Sequence, residues 1–431
     1  MLTSIAAPVF VIGVLVLFHE LGHFLVAKRA GIRVETFSIG FGPAIASFER
    51  GGTVYKISWV PFGGYVKMSG EDPDEEQEGP EPWRFHRKSV PIRLAVILAG
   101  PAANFVLAVA VYSLIFGVYG VDTIETTRVG QVLPDTPAAR AGLLEGDVIT
   151  EVDGAPVSDW RGLVEAIRDG GEKGAALVVL RDGTELPIRL SPRGDEALGF
   201  APELDARVGE VFSGGPAAEA GLERGDRIVE LSGVPIEGWD DLRETLEPLA
   251  GETVALRYER AGEIRETVVS PEAIEEEGTD GGTRTVGRLQ VGQYTERRRI
   301  GPIAAVREGV LQTGWVIRNV VDFLRILVTG RATADMVGGP VSIFHLSGES
   351  ARHGFDTLLS LLAFLSIELG MLNLLPVPVL DGGHLVFLLI EGVRRRPLSL
   401  KQRALLQQIG LLVILGLMVT VTVLDVGRLL G

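Results

Sequence analysis

His19-Glu20-Leu21-Gly22-His23 sets two imidazoles four residues apart with a carboxylate beside the first. Positions i and i+4 share one face of a helix, so both rings can bind one zinc ion while Glu20 stands next to a bound water as general base. Structural zinc usually takes four protein ligands, whereas hydrolytic zinc takes three and keeps a position open. A third ligand is therefore expected. Asp381 ranks first, because it follows the Pro-interrupted stretch Asn373 to Leu380 near the end of an apolar segment. His384, three residues on, could be the ligand instead, or could hydrogen-bond to one. The chain has no Cys, which excludes thiolate ligands, a Cys nucleophile and disulfides.

The elements that must hold these groups are apolar. Residues 3–27, 94–121, 357–390 and 404–424 each approach or exceed the ~20 residues that cross a hydrocarbon core. No Lys or Arg precedes the first, and no small-residue cleavage site closes it, so it reads as a retained span and not as a signal peptide. An ionisable motif inside a span is a candidate functional site in its own right. The third segment is broken by Asn373, Pro376 and Pro378, and such breaks are tolerated at membrane depth where protein or a water-filled cavity satisfies the freed backbone. Basic residues cluster after the first span (Lys28, Arg29, Arg33), before the second (Arg84, Arg87, Lys88, Arg93) and between the third and fourth (Arg394, Arg395, Arg396, Lys401, Arg403). All three clusters fall on connections that one topology puts in the cytoplasm. Both termini and residues 121–300 are then expected outside, with the zinc site near the cytoplasmic face.

Residues 121–300 carry 37 of the 56 acids and 20 of the 41 bases, so the net charge of -15 belongs to this block. That balance gives no electrostatic footprint for nucleic acid. Within the block a repeat runs without gaps at an offset of 79: Pro137-Ala138-Ala139, Ala141-Gly142-Leu143, Gly146-Asp147 and Trp160 recur as Pro216-Ala217-Ala218, Ala220-Gly221-Leu222, Gly225-Asp226 and Trp239. Each copy reads as an α+β module resembling the paired PDZ domains of bacterial membrane proteases. Such domains take an extended peptide on a sheet edge and hold its carboxylate on backbone amides. The nearest loops for that role are Leu198-Gly199-Phe200 and Val286-Gly287-Arg288-Leu289. Spacers or a steric filter are the competing role for the two modules.

Residues 34–60 have hairpin character and lead into Pro61-Phe62-Gly63-Gly64-Tyr65-Val66; a strand edge there could pair with an unwound substrate segment, or the small sheet could only cap the helices. Residues 70–82 form an acidic Pro and Gly linker. Residues 303–328 are apolar but contain Arg307, Glu308, Arg318, Asp322 and Arg325, which suits an amphipathic helix at the outer membrane surface or packed beneath the repeats.

Taken together in order and spacing, His19 to His23, Gly100-Pro101-Ala102-Ala103-Asn104, the two repeats and Asn373 to Gly383 resemble the site-2 protease family, specifically the bacterial RseP-type intramembrane zinc proteases. The resemblance covers nearly the whole chain. It implies Zn²⁺ held by His19, His23 and Asp381, with Glu20 activating water and Asn373 holding the substrate backbone. By the same resemblance, Gly63, Gly64 and Tyr65 belong to a membrane-associated β-loop that engages substrate. The implied substrates are transmembrane proteins already shortened by another protease, such as anti-sigma factors, or leftover signal peptides, cleaved in a bacterial inner membrane. Glu368 departs from the family pattern. Thirteen residues before Asp381, or ~20 Å along an unbroken helix, it lies too far away to share a metal.

The expected fold is a polytopic α-helical membrane protein with four transmembrane helices, a membrane-associated β-hairpin region and two PDZ-like domains. The expected divisions are 1–27 for helix 1, 28–93 for the hairpin region and linker, 94–121 for helix 2, 122–200 and 201–291 for the two PDZ-like domains, 292–356 for the amphipathic helix and connection, 357–390 for the broken helix 3 and 404–424 for helix 4. Two other classes compete with a protease. A PDZ scaffold or chaperone with a vestigial metal site leaves Glu20 and Asp381 without purpose, and a zinc transporter needs neither a general base nor peptide-binding modules.

Overall fold

The computed structural model describes residues 2–71, 81–171, 174–191, 196–212, 214–277, 283–329, 338–396 and 398–430. Residues 72–80, most of the acidic linker, lie outside them. The chain forms two compact units, one of Met1–Gly120 with Arg299–Gly431 and one of Val121–Arg298.

The first unit opens with α1 (Leu2–Arg29), whose apolar run ends at Lys28 and Arg29. Two long strands follow, β1 (Val34–Arg50) and β2 (Thr53–Met68). They turn tightly at Gly51 and Gly52, both at positive φ, and Arg50 pairs with Thr53. The strands double back on each other, so that Thr36 to Ile39 are flanked on one side by Val54 to Ile57 and on the other by Gly64 to Lys67. Residues 64–67 thus form an outer edge of a small sheet. Helix α2 (Val90–Tyr119) starts with Pro91 in its first turn, where a missing N–H costs nothing, and stops at Gly120, φ 87°.

The second unit opens on β3 (Val121–Thr123). The first repeat runs through β4 (Val129–Val132), α3 (Pro137–Ala141), β5 (Val148–Val152), β6 (Ala155–Pro156), α4 (Trp160–Asp169), β7 (Ala175–Arg181), β8 (Thr184–Leu190) and β9 (Phe200–Pro202). The second follows the same course through β10 (Val208–Val211), α5 (Pro216–Glu219), β11 (Arg227–Leu231), β12 (Val234–Pro235), α6 (Trp239–Leu246), β13 (Val254–Arg260) and β14 (Glu263–Val269). It then adds β15 (Glu272–Glu277) and β16 (Thr283–Arg288) before β17 (Val291–Gln293). Strand β18 (Glu296–Arg298) returns to pair with β3.

Both repeats contain the same four-stranded order, β6-β5-β7-β8 and β12-β11-β13-β14, and the same outer pair, β4-β9 and β10-β17. Each closes on its own core, Ile149, Leu163 and Leu177 in one and Ile228, Leu242 and Leu256 in the other, all fully or almost fully buried. The Gly-Asp turn has the same structural use twice. Asp147 meets Arg181 at 2.7 Å and Asp226 meets Arg260 at 2.7 Å. Burial works against the charge of Asp147, but the guanidinium and the Leu144 amide outweigh it and hold the carboxyl below its ordinary range.

One expected loop is displaced. Gly199, φ 77°, accepts from the Leu133 amide at 2.8 Å, and the matching acceptor for Phe212 in the second repeat is Gln290, φ 55°, at 3.2 Å. The second repeat's counterpart of Leu198-Gly199-Phe200 is therefore Leu289-Gln290-Val291, and not Val286-Gly287-Arg288-Leu289. The inserted β15–β16 hairpin shifts the register, which a comparison without gaps does not see.

The first unit resumes with α7 (Pro302–Val328), α8 (Pro340–His353), α9 (Phe355–Asn373), α10 (Asp381–Arg394) and α11 (Leu400–Leu430). Helix α7 runs antiparallel along α2, with Gly309 against Ser113 and Val109 and with Ala305 by Gly117. Val11, Leu15, Ala108, Leu362, Ala363 and Ile367 form the core where α1, α2 and α9 meet. Among the described residues four helices are long and apolar enough to cross a membrane: Ala6–Arg29, Val90–Tyr119, Phe355–Asn373 and Lys401–Asp425. The expected third span is divided: α9 ends at Asn373, and α10 starts afresh at Asp381 after seven non-helical residues.

Candidate metal centre

The break between α9 and α10 carries Asp381 to the inner face of α1. Asp381 Oδ2 lies 3.2 Å from His19 Nε2 and 3.4 Å from His23 Nε2, and the two Nε2 atoms are 3.3 Å apart. Ligands at ~2.0–2.1 Å around a tetrahedral zinc ion stand ~3.3 Å from one another. The triangle therefore has the size that one zinc ion requires.

The hydrogen bonds behind it point the same way. His23 Nδ1 donates to the Val96 carbonyl at 2.8 Å, which leaves the Nε2 lone pair facing Asp381. A lone pair opposite a buried carboxylate oxygen is repulsive unless a cation or proton lies between them, and Asp381 Oδ2 has no hydrogen-bond donor among the described residues. His19 Nδ1 lies 3.3 Å from the side-chain amide of Asn104, which is fully buried. The carbonyl end of that amide, Oδ1, lacks a partner among the described residues. Turned toward His19 it would accept the Nδ1 proton and free Nε2 for a metal, so this neighbourhood suits zinc.

The sequence folds this way because small residues let α1 and α2 touch. A Cβ on Gly22 would collide with the Ala99 carbonyl, and one on Gly100 would fall on the His23 ring. Asn104 is one turn beyond Gly100 on the same helix, and Ser366 of α9 donates to its backbone carbonyl at 2.8 Å. Gly382 and Gly383 serve the tight re-entry into α10, where a side chain at either position would strike the carbonyls of Leu375 or Val377.

Glu20 lines the same cavity of about 380 Å³, with Tyr65, His384 and Asp381. The outer strand of the small sheet passes directly beside it: a Cβ on Gly64 would come within 3.3 Å of Glu20 Cγ and 2.7 Å of both Val16 Cγ1 and the Ser38 carbonyl. Gly63, φ 107°, lies against the Phe41 ring, and Tyr65 pairs with Ser38. Asn373 places its amide nitrogen 3.4 Å from His19 Nε2, at the rim of the triangle. His384 is half-buried on α10 one turn from Asp381 but offers no atom to the three-ligand cluster, and its ring packs edge-on against Phe387. Sequence reasoning singled out these groups and overlooked Val96, a plain carbonyl that carries no side-chain signal. Arg93, Arg403 and His86, which also line the cavity, were read only for charge or not at all.

Comparison with known proteins decides the family. The signature of Peptidase family M50 matches residues 7–417. The chain belongs to that family. The M50 chain is 34% identical to the regulator of sigma E protease of Salmonella typhi, over 99% of each protein. It is 33% identical to the regulator of sigma-E protease RseP of Escherichia coli K12, again over 99% of each. A PDZ domain from Listeria monocytogenes aligns with 20% of this chain and 84% of its own length at 19% identity, TM-score 0.17. The protein is thus a membrane-embedded zinc metalloprotease of family M50.

Proposed function

We propose that this M50 protease uses His19, His23 and Asp381 as its zinc ligands, with Glu20 as general base, to cut peptide bonds inside transmembrane segments of other membrane proteins. The observation that supports the reading best is the near-equilateral triangle of ligand atoms, 3.2 to 3.4 Å on a side, with Glu20 in the same cavity. Zinc bound there supplies Lewis acidity to a substrate carbonyl and makes water a nucleophile near neutral pH. Glu20 takes the proton of the attacking water and passes it to the departing amine. A helix shields its carbonyls, so the substrate must be extended at the site. The outer edge at Gly64 and Tyr65, with Gly63 beside it, would offer backbone pairing to such a segment, and the Asn373 amide, 3.4 Å from His19 Nε2, would hold its backbone. His384 supports the ligand set from one turn away.

The relatives are named as regulators of sigma E, which favours anti-sigma-type membrane substrates, shortened beforehand, or leftover signal peptides. The PDZ-like repeats would then receive newly made peptide carboxyl termini or gate access. The reading includes a bacterial inner-membrane location with both termini and the repeats outside the cytoplasm. Glu20→Gln should retain one zinc per chain and the native fold while lowering cleavage of a purified transmembrane substrate by about 100-fold or more, because an amide cannot accept the water proton. Turnover near the wild-type rate would remove Glu20 from the role of base.

A further inference from the structure

The cavity that opens on the zinc ligands has a second polar end. Arg93 of α2 and Arg403 of α11 line it together with His86. Arg93 is only 6% exposed, and both of its terminal nitrogens bond to Glu391 of α10. Its Nε lacks a hydrogen-bond partner among the described residues. Arg403 stands 3.9 Å from the same Glu391 carboxylate, so two guanidinium groups converge there. His86 is anchored by Nδ1 to the Gly70 carbonyl at 3.1 Å, and its Nε2 is likewise buried without a partner. Glu391 does not line the cavity; the acid that does line this part is Glu71, whose carboxylate accepts from the Met68 amide at 3.2 Å. None of these groups is needed to hold zinc or to move the water proton.

Resting on the protease reading above, we infer that this wall is a specificity subsite for a carboxylate side chain of the substrate. Burying a guanidinium is costly unless anionic acceptors surround it, and a carboxylate in the cavity adds one where Arg93 still has an unused N–H. The cavity's length fixes where that carboxylate sits. Arg93 precedes Gly100, the residue against the His23 ring, by seven positions, about 10 Å of helix; Glu391 follows Asp381 by ten, about 15 Å. An extended peptide advances about 3.3 Å per residue, so the acid is three to five residues from the scissile bond. The carboxylate created by cleavage is formed at the metal and cannot reach the bases. Ile97, Phe387 and Leu388 lie between the two ends and suit apolar side chains of the intervening residues.

Binding to the zinc-loaded Glu20→Gln protein tests this without requiring turnover, while wild-type turnover of the same peptides tests the protease reading separately. Transmembrane peptides carrying Asp, Ala or Lys singly at the third to fifth positions on either side of the cleavage point would be titrated in phosphatidylcholine vesicles. At one position Asp should bind about 10-fold tighter than Ala, and Lys more weakly than Ala. In the Glu20→Gln, Arg403→Glu double variant the order at that position should invert, with Lys now preferred, an outcome that general loosening of the fold would not produce. Equal affinities for Asp, Ala and Lys at every position would overturn the subsite. So would peptide-independent binding that rises only when phosphatidylglycerol is added, since the basic wall would then serve a lipid headgroup.

Discussion

Zinc held by two neutral imidazoles alone would keep both of its charges at a largely buried site, and a carboxylate ligand offsets one of them. That argument singles out Asp381 over His384, and the distances agree with it, since only Asp381 brings an atom within 3.4 Å of both Nε2 nitrogens. Asp381→Asn should accordingly lower bound zinc and proteolysis together, each by more than about 10-fold, whereas His384→Ala should keep zinc and lose about 10 to 100-fold in activity at most. Metal content per chain in the two purified variants checks this. Full zinc in Asp381→Asn with metal loss in His384→Ala would exchange their roles. The two His and the Glu were legible in the sequence because their spacing is local to one helix. Asp381 was legible only as a ranked candidate, because the 357 residues between His23 and Asp381 leave the meeting of their elements to tertiary packing. The Val96 carbonyl was not legible at all, since any residue could supply it.

At the scale of elements, the metal centre depends on how closely α1 and α2 approach. Gly22 and Gly100 are the two positions where backbone or ring atoms occupy the space of a side chain. Gly100→Ala should therefore displace the His23 ring and reduce zinc occupancy several-fold although Gly100 binds no metal, and zinc content with a helical signal equal to wild type separates this from unfolding. Occupancy unchanged from wild type would show that α2 yields without moving His23. Such contacts explain what the sequence conveys and what it hides. Apolar length reveals the four spans, and the Gly, Pro and Asp of the repeats recur because turns and caps demand them. By contrast, the doubling of β1 and β2 into a sheet with residues 64–67 at its edge depends on pairing between distant segments, and hairpin periodicity cannot specify it. Helix α8 escaped notice for a similar reason. Its first turn is capped from far along the chain, where buried Asp425 of α11 accepts from the Gly339 and Ser342 amides at 3.1 Å each.

For the whole molecule, the remaining question is which way the chain faces the membrane, and charge distribution is the physical handle on it. The basic clusters at Lys28 to Arg33, Arg84 to Arg93 and Arg394 to Arg403 all lie at those span ends that an even number of crossings puts on one side, and positively charged loops are retained in the cytoplasm. The acidic block between α2 and α7 contributes little to orientation, because long domains translocate largely regardless of charge. The absence of Cys makes the arrangement measurable with single introduced thiols. Asp153, Asp240 and Arg395 are exposed in the structure, so Asp153→Cys, Asp240→Cys and Arg395→Cys should each present a thiol that a reagent in the surrounding water can reach. In intact cells an impermeant maleimide should label the first two and spare Arg395→Cys until the membrane is permeabilised. Labelling of Arg395→Cys alone before permeabilisation would invert the topology, and with it the side of the membrane from which the basic end of the zinc cavity is reached.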